Sequence, residues 1–274
     1  LLQMKIFRNK NNLIKEISSV RDLGFIPTMG ALHKGHISLV RKAKKKSRKI
    51  LVSIYVNSKQ FDSNKNFKKY PRNLAKDINV LKKKKIDYLY IPSDKDIYSF
   101  KVENSTYLDK FSKQLCGKFR PGHFKAVVDV VNRFLEIIKP KSIYLGGKDF
   151  QQLSLIGLHI KKKKIKTKLI ECPTKREKNG LAISSRNIKL TKNQIFNSGK
   201  IYMYLKNNKK LILHRILNKK KSIIIKKIVK LGADKVEYIE CLSLKKLKLC
   251  KSTKGNFNIF IAYYMNDVRL IDNL

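Results

Sequence analysis

The sequence predicts an α/β protein, a Rossmann-like doubly wound parallel sheet with a second, smaller α+β domain. Three observations predict it. Short Val/Ile/Leu-rich runs alternate with longer helix-period segments through the first two-thirds of the chain, the pattern of a parallel sheet wrapped by helices. Ile50 to Val56 is a near-continuous apolar run rich in β-branched residues, as expected of a strand buried on both faces. After Pro173 the character changes to a polar loop, then helices, then strand-like pieces, which reads as a small α+β domain.

In chain order, Phe25-Ile26 is a short buried strand leading into a turn, and His36 to about Lys46 has helical spacing. The Ile50–Val56 strand completes a strand-turn-helix-strand unit. Further strands are expected at Ile86 to Ile91, Ser142 to Leu145 and Thr167 to Cys172, with helices near Leu74 to Leu81, Val127 to Ile138 and Gln151 to Ile160 between them. The polar loop runs to Ser185, helices span roughly Lys192 to Leu231, and strand-like segments occur at Val236 to Ile239 and Asn258 to Tyr264. The expected domains are therefore 1–173 and 174–274.

The chain is strongly basic, with 64 Lys plus Arg against 19 Asp plus Glu and a formal net charge of +45. Such a charge attracts phosphates and nucleic acids without any specific site. The excess is mostly Lys, travels with abundant Ile and Asn, and is spread over the whole length, which fits AT-rich codon usage better than selection for nucleic-acid binding. No helix-turn-helix, zinc-finger spacing or stacking motif accompanies it. Cys116, Cys172, Cys241 and Cys250 form no C-x-x-C pair, so neither a zinc knuckle nor a disulfide framework is expected. No apolar run approaches the ~20 residues needed to span a bilayer, and no signal-peptide core stands at the N-terminus. A cytoplasmic protein is expected; whether Met4 is the true start is open.

Pro27-Thr28-Met29-Gly30-Ala31-Leu32-His33-Lys34-Gly35-His36 follows a strand and opens a helix, so its backbone N–H groups and the positive helix end can face a phosphate. His33 and His36, three apart, lie on one side of a helical turn, where both rings can donate to one phosphate group. The alternatives are a helix start with two incidental histidines and a metal pair, for which no third ligand is close in sequence; the adjoining turn residues favour phosphate.

With its neighbours, this stretch resembles the nucleotide-binding motif of the pantothenate synthetase family, within the HIGH-motif nucleotidyltransferases. Further stretches agree in order and spacing: Val52 to Asn57 through Gln60-Phe61, Tyr70-Pro71-Arg72, Arg120-Pro121-Gly122-His123-Phe124, Gly146 to Gln152, Gly180 to Asn187, and Arg269 to Asn273. The resemblance covers nearly the whole chain. It implies that pantoate and ATP give pantoyl adenylate and pyrophosphate, and that the amine of β-alanine then displaces AMP. It also implies a homodimer and a smaller domain that closes over ATP.

The residue roles come with the resemblance. His36 stands in the place of the family's catalytic histidine, with His33, Lys148 and Arg186 as further catalytic groups. Nucleotide contacts fall on Met29, Gly30, Ala31, Leu32, His33, Lys34, Gly35 and His36, on Gly146, Gly147, Lys148 and Asp149, and on Lys175, Ile183, Ser184, Ser185 and Arg186. Gln60 and Gln152 hold pantoate, with Asn57 beside them; Tyr70 and His123 match motif positions with weaker roles. Magnesium is implied by ATP chemistry rather than by a protein-held metal site, because Asp77, where the family has an acidic pair, has Lys76 as its neighbour.

Two departures matter. Gly147 stands where the family usually has Glu in G-E-K-D, and Ser58 replaces the Pro usual after V-N. The glycine removes a carboxylate beside Lys148 and loosens the backbone, which predicts weaker ordering of the ATP site. The nearest rival is another HIGH-motif nucleotidyltransferase acting on a different small substrate; the neutral Gln60 and Gln152 argue against a phosphorylated one.

Overall fold

The structure is a computed structural model describing residues 3–274. Leu1 and Leu2, on which the choice of start residue bears, lie outside the described residues. The chain divides into two units, the first running through Ser112 and resuming from Gly117 to Pro173, the second formed by Lys113–Cys116 and Thr174–Leu274.

The first unit begins with β1 (Lys5–Phe7), α1 (Lys10–Ile17), β2 (Leu23–Thr28), α2 (Lys34–Lys44) and β3 (Lys49–Ile54). It continues with α3 (Asn64–Lys68), α4 (Leu74–Lys83), β4 (Tyr88–Tyr90) and α5 (Asp94–Tyr98). A short α6 (Cys116–Phe119) precedes α7 (His123–Ile138), β5 (Ser142–Gly146), α8 (Phe150–Lys162) and β6 (Lys168–Cys172). The sheet has six strands in the order β1-β4-β3-β2-β5-β6, every pairing parallel.

Buried-on-both-faces patterning explains the strands. In β2 and β3, Ile26, Ile50 and Val52 join Val40 and Ala43 of α2 and Leu81 of α4 in one core. Their neighbours point the other way: the Phe25 ring packs on Phe134 of α7 at 5.4 Å. Phe25, Ile26 and Leu51 are fully buried. Each such side chain contributes roughly 1.5–3 kcal/mol relative to exposure. The long helices begin and end close to where periodicity puts them. β1 and α1 are not visible in the sequence pattern, since a three-residue strand and an eight-residue helix are too short to establish a period.

The sheet order sets the site. After β4 the chain crosses to the other side of β2 to form β5, so β2 and β5 are adjacent strands whose outgoing connections diverge. A crevice outside their carboxyl ends is where open α/β sheets bind ligands. β2 ends at Thr28 and β5 at Gly146, so the Pro27–His36 turn and Gly147–Asp149 share that edge.

The second unit contains α9 (Lys192–Asn207), α10 (Lys209–Leu217), α11 (Lys221–Lys230), β7 (Lys235–Ser243), β8 (Lys248–Leu249), β9 (Phe257–Met265) and β10 (Val268–Asn273). The strands form an antiparallel sheet, β10-β9-β7-β8. Ile201, Ile212, Ile224 and Ile228 of the helices pack with Ile239, Ile259 and Ile261 of the strands. The expected helical stretch is thus three helices, and β10 is a strand that the sequence pattern did not reveal.

Candidate active site

The turn after β2 is held by side chains from elsewhere in the unit. Thr28 Oγ1 donates to the Ser53 carbonyl at 2.7 Å and accepts from the Gly30 N–H at 3.2 Å. Gly30 (φ +76°) and Ala31 (φ +48°) are both left-handed. The buried Asp77 carboxylate accepts from the Ala31 N–H through Oδ2 and from the Leu32 N–H through Oδ1, both at 2.8 Å. A Cβ on residue 30 would stand 2.9 Å from Asp77 Oδ2. Glycine is therefore needed there for its φ and for the closeness of that carboxylate.

Of the turn's backbone N–H groups, those of Ala31 and Leu32 are engaged by Asp77. Sequence reading missed the clamp because Asp77 is 46 residues from Ala31 and follows an unremarkable lysine.

The two histidines cap α2 reciprocally. Gly35 N–H donates to His33 Nδ1 at 3.1 Å, and His33 N–H donates to His36 Nδ1 at 3.3 Å. Both Nδ1 atoms accept, so in the neutral rings both protons sit on Nε2. The ring centroids are 4.0 Å apart with planes inclined by 34°. Burial, with the Lys148 charge behind it, lowers the His33 pKa to about 4. Burial, with His33 next, lowers His36 to about 3, against an opposing pull from Asp149. At neutral pH the pair is a set of uncharged Nε2–H donors in a fixed orientation.

Lys148 and Asp149 follow β5, and Lys148 Nζ donates to Asp149 Oδ1 at 2.9 Å. Their charges act on both histidines, which ties this loop to the turn electrostatically. Gly147 has no positive φ, so its contribution is room rather than conformation. An ideal Cβ there would lie 2.8 Å from Glu171 Oε1. Glu171, on β6, thus brings a carboxylate to the space where one was expected to be missing.

Gln60 meets the turn directly, its Nε2 donating to Met29 Sδ at 2.8 Å. Asn57 is buried and caps the short 3-10 turn Ser58–Gln60, its Oδ1 accepting from Lys59 N–H and Tyr98 Oη–H. Its Nδ2 has no partner among the described residues, an orphaned donor of the kind a ligand oxygen satisfies. Gln152 is half-buried in the first turn of α8, two residues beyond Phe150. Tyr70 packs its ring against Phe61 at 5.6 Å, a packing contact. His123 and Arg120 bond to the Gln60 backbone carbonyl, at 2.8 and 3.1 Å.

The remaining candidates belong to the second unit. Lys175 is exposed and its carbonyl accepts from the N–H of the buried Ile183 at 2.9 Å. Ser184 Oγ accepts from Arg186 N–H at 3.3 Å and caps the 3-10 turn Ser185–Lys189. Arg186 Nη1 donates to the Arg269 carbonyl at 3.3 Å. The base of this loop is fixed by Arg176, which makes a two-pronged pair with Asp272 at 2.6 and 2.9 Å and reaches the Gly180 carbonyl. Among the described residues no group of three His, Cys, Asp or Glu side chains is arranged to hold a metal ion. Nor is any helix among them long and apolar enough to cross a membrane.

Comparison with known proteins agrees across the chain. The family model for pantoate-beta-alanine ligase matches residues 5–274. The pantothenate synthetase of Francisella tularensis subsp. novicida is 41% identical over 268 residues, 96% of this chain and 92% of that protein. A crystal structure of pantoate-beta-alanine ligase from Francisella tularensis, complexed with beta-gamma ATP and beta-alanine, superposes with a TM-score of 0.82 at 39% identity, covering 99% of this chain and 97% of the other. The pantothenate synthetase of Thermus thermophilus gives a TM-score of 0.83 at 26% identity, covering 99% of both chains.

Proposed function

The chain belongs to the pantoate–β-alanine ligase family, and from that premise we propose how its residues carry out ATP-dependent ligation of pantoate to β-alanine through a pantoyl adenylate. A pantoate carboxylate oxygen attacks the α-phosphorus, the P–O bond to the β-phosphate breaks, and pyrophosphate leaves. The β-alanine nitrogen then attacks the activated carbonyl carbon, the C–O bond to AMP breaks, and the nitrogen gives up a proton. Both steps build negative charge on oxygens, so the enzyme needs positioned donors and cations rather than a nucleophile of its own.

The observation that carries this reading is the histidine pair: two neutral rings, tautomer fixed by the helix cap, Nε2–H groups free to face phosphate beside Lys148. A fixed neutral donor needs no reorganisation as charge develops. His36 and His33 serve the reacting phosphate, and Lys148 neutralises it as a point charge. Gln60, Gln152 and Asn57 take pantoate, the orphaned Asn57 Nδ2 supporting a ligand oxygen at that point. Lys175, Ile183, Ser184, Ser185 and Arg186 attend ATP, with Arg186 and the two hydroxyls following pyrophosphate as it leaves.

Magnesium enters with ATP, shielding the phosphate charge of the substrate. Asp77 holds the turn, each carboxylate oxygen accepting one of its amides, and it belongs to no group of three metal-ligating side chains among the described residues. The reading extends to a cytoplasmic homodimer whose second unit closes when ATP binds; protease sensitivity at Lys178 and sedimentation report the two.

Pantoate-dependent release of pyrophosphate from ATP, followed by pantothenate formation only when β-alanine is added, tests the whole scheme. Pyrophosphate release without pantoate would defeat it. His36→Ala should lower the adenylation rate about 100- to 1,000-fold, the scale of losing one oxyanion donor.

A further inference from the structure

We infer that Arg120 and His123 are a positioning pair for Gln60, fixing its backbone so that its side chain meets pantoate. The inference rests on the reading of Gln60 as a pantoate ligand.

The argument starts from the turn. In Arg120-Pro121-Gly122-His123, the His123 N–H donates to the Arg120 carbonyl at 3.2 Å, and Gly122 has φ +80° and ψ −20°. Proline second and a left-handed glycine third are the signature of a type II turn. No neighbour lies close to where a Gly122 Cβ would be, so the glycine is there for its φ. The turn folds its first and fourth side chains together, and Arg120 Nη1 meets His123 Nε2 at 3.0 Å.

Both side chains then converge on one atom. The Gln60 carbonyl ends a short 3-10 turn and accepts from His123 Nδ1 at 2.8 Å and from Arg120 Nη2 at 3.1 Å. Two donors use both lone pairs of that oxygen. Arg120 is itself braced by Asp62, its Nε 2.8 Å from Oδ2. The opposite end of Gln60 touches Met29 of the phosphate turn. The residue is thus pinned at its backbone and presented at its side chain, and neither Arg120 nor His123 needs to touch substrate.

The tautomer follows. A carbonyl only accepts, so His123 carries its proton on Nδ1 and offers the Nε2 lone pair to Arg120. A protonated ring would set an N–H against the guanidinium, so the arrangement requires neutral His123.

Hydrogen exchange and steady-state kinetics on the full chain test this together. His123→Ala and Arg120→Ala should speed amide exchange over residues 58–62 and raise the pantoate KM about tenfold, the scale of one lost hydrogen bond. The ATP KM should move less than twofold, which general loss of structure would not allow. His123→Asn, whose amide can stand in for the Nδ1 donor, should recover most of the protection, while His123→Gln should not. Unchanged exchange over 58–62 in both alanine variants overturns the pairing, as does an equal rise in both KM values. Gln60→Ala serves as the reference. If it leaves the pantoate KM unchanged, the reading of Gln60 is wrong, while the exchange data still decide whether the pair holds its backbone.

Discussion

The Glu171 carboxylate stands 2.8 Å from the point where a Gly147 side chain would begin. The two residues are a matched pair, the glycine in the turn after β5 leaving the space that the glutamate on β6 fills. From α2, Lys42 Nζ donates to the Glu171 carbonyl at 2.5 Å and holds that strand position. The carboxylate that the sequence lacks at position 147 is thus supplied close by from β6.

Gly147→Glu should therefore bring two carboxylates together and weaken ATP binding several-fold, with stability lowered by roughly 1 kcal/mol. Gly147→Glu with Glu171→Gly should recover both. Coupling energies between contacting residues run about 0.5–3 kcal/mol. A double-mutant cycle on ATP affinity and urea unfolding measures this one, and strictly additive effects would dissolve the pair.

Asp77→Asn should be more damaging than its isosteric shape suggests. One accepting oxygen becomes an NH2 facing a backbone N–H, and the loss of a hydrogen bond to a charged group costs about 1.5–3 kcal/mol. The ATP KM should rise at least tenfold. Because Asp77 clamps the turn through amides rather than through a metal, raising magnesium should not restore activity; rescue by magnesium would mark it as a metal ligand.

The histidine pair makes a pH prediction. Both groups ionise at about 4 and about 3 when folded, below the ordinary 6.5. Below 6.5 the unfolded chain therefore binds more protons than the folded one. Their contribution to stability is intact above 6.5 and lost progressively as pH falls toward 4 and then 3. Melting temperatures between pH 7.5 and 4.5 should fall more steeply for the parent chain than for His36→Asn. Imidazole NMR signals of the free enzyme titrating near 6.5 at both sites would sink the assignment.

In the second unit, Arg176→Lys should be far from conservative. The guanidinium makes two bonds to Asp272, reaches the Gly180 and Asn273 carbonyls and lies 4.2 Å over the Tyr202 ring. The Arg176 and Asp272 side chains are 19% and 10% exposed, so removing one leaves a poorly solvated charge. Breaking such a pair costs about 3–5 kcal/mol, and a single ammonium recovers only part of it. Chemical denaturation should show the loss, with proteolysis faster between Lys175 and Arg186.

The sequence alone determined the parallel sheet, the long helices and the glycine- and histidine-bearing turn after β2, because each is encoded by neighbouring residues. Apolar periodicity is a local signal, and Pro27 to His36 carries its glycines and histidines in one stretch. It also located Lys148, Gln60 and Asn57 as candidates through ordered motifs. It did not show β1, α1 or β10, whose elements are too short or too irregular for a period to emerge. Nor did it show which atoms the turn offers a ligand. That was decided by residues far away in the chain: Asp77 takes the Ala31 and Leu32 amides, Arg120 and His123 take the Gln60 carbonyl, and Glu171 takes the room beside Gly147. Hydrogen bonds and close packing act over ångströms, and only folding brings residues dozens of positions apart within that range.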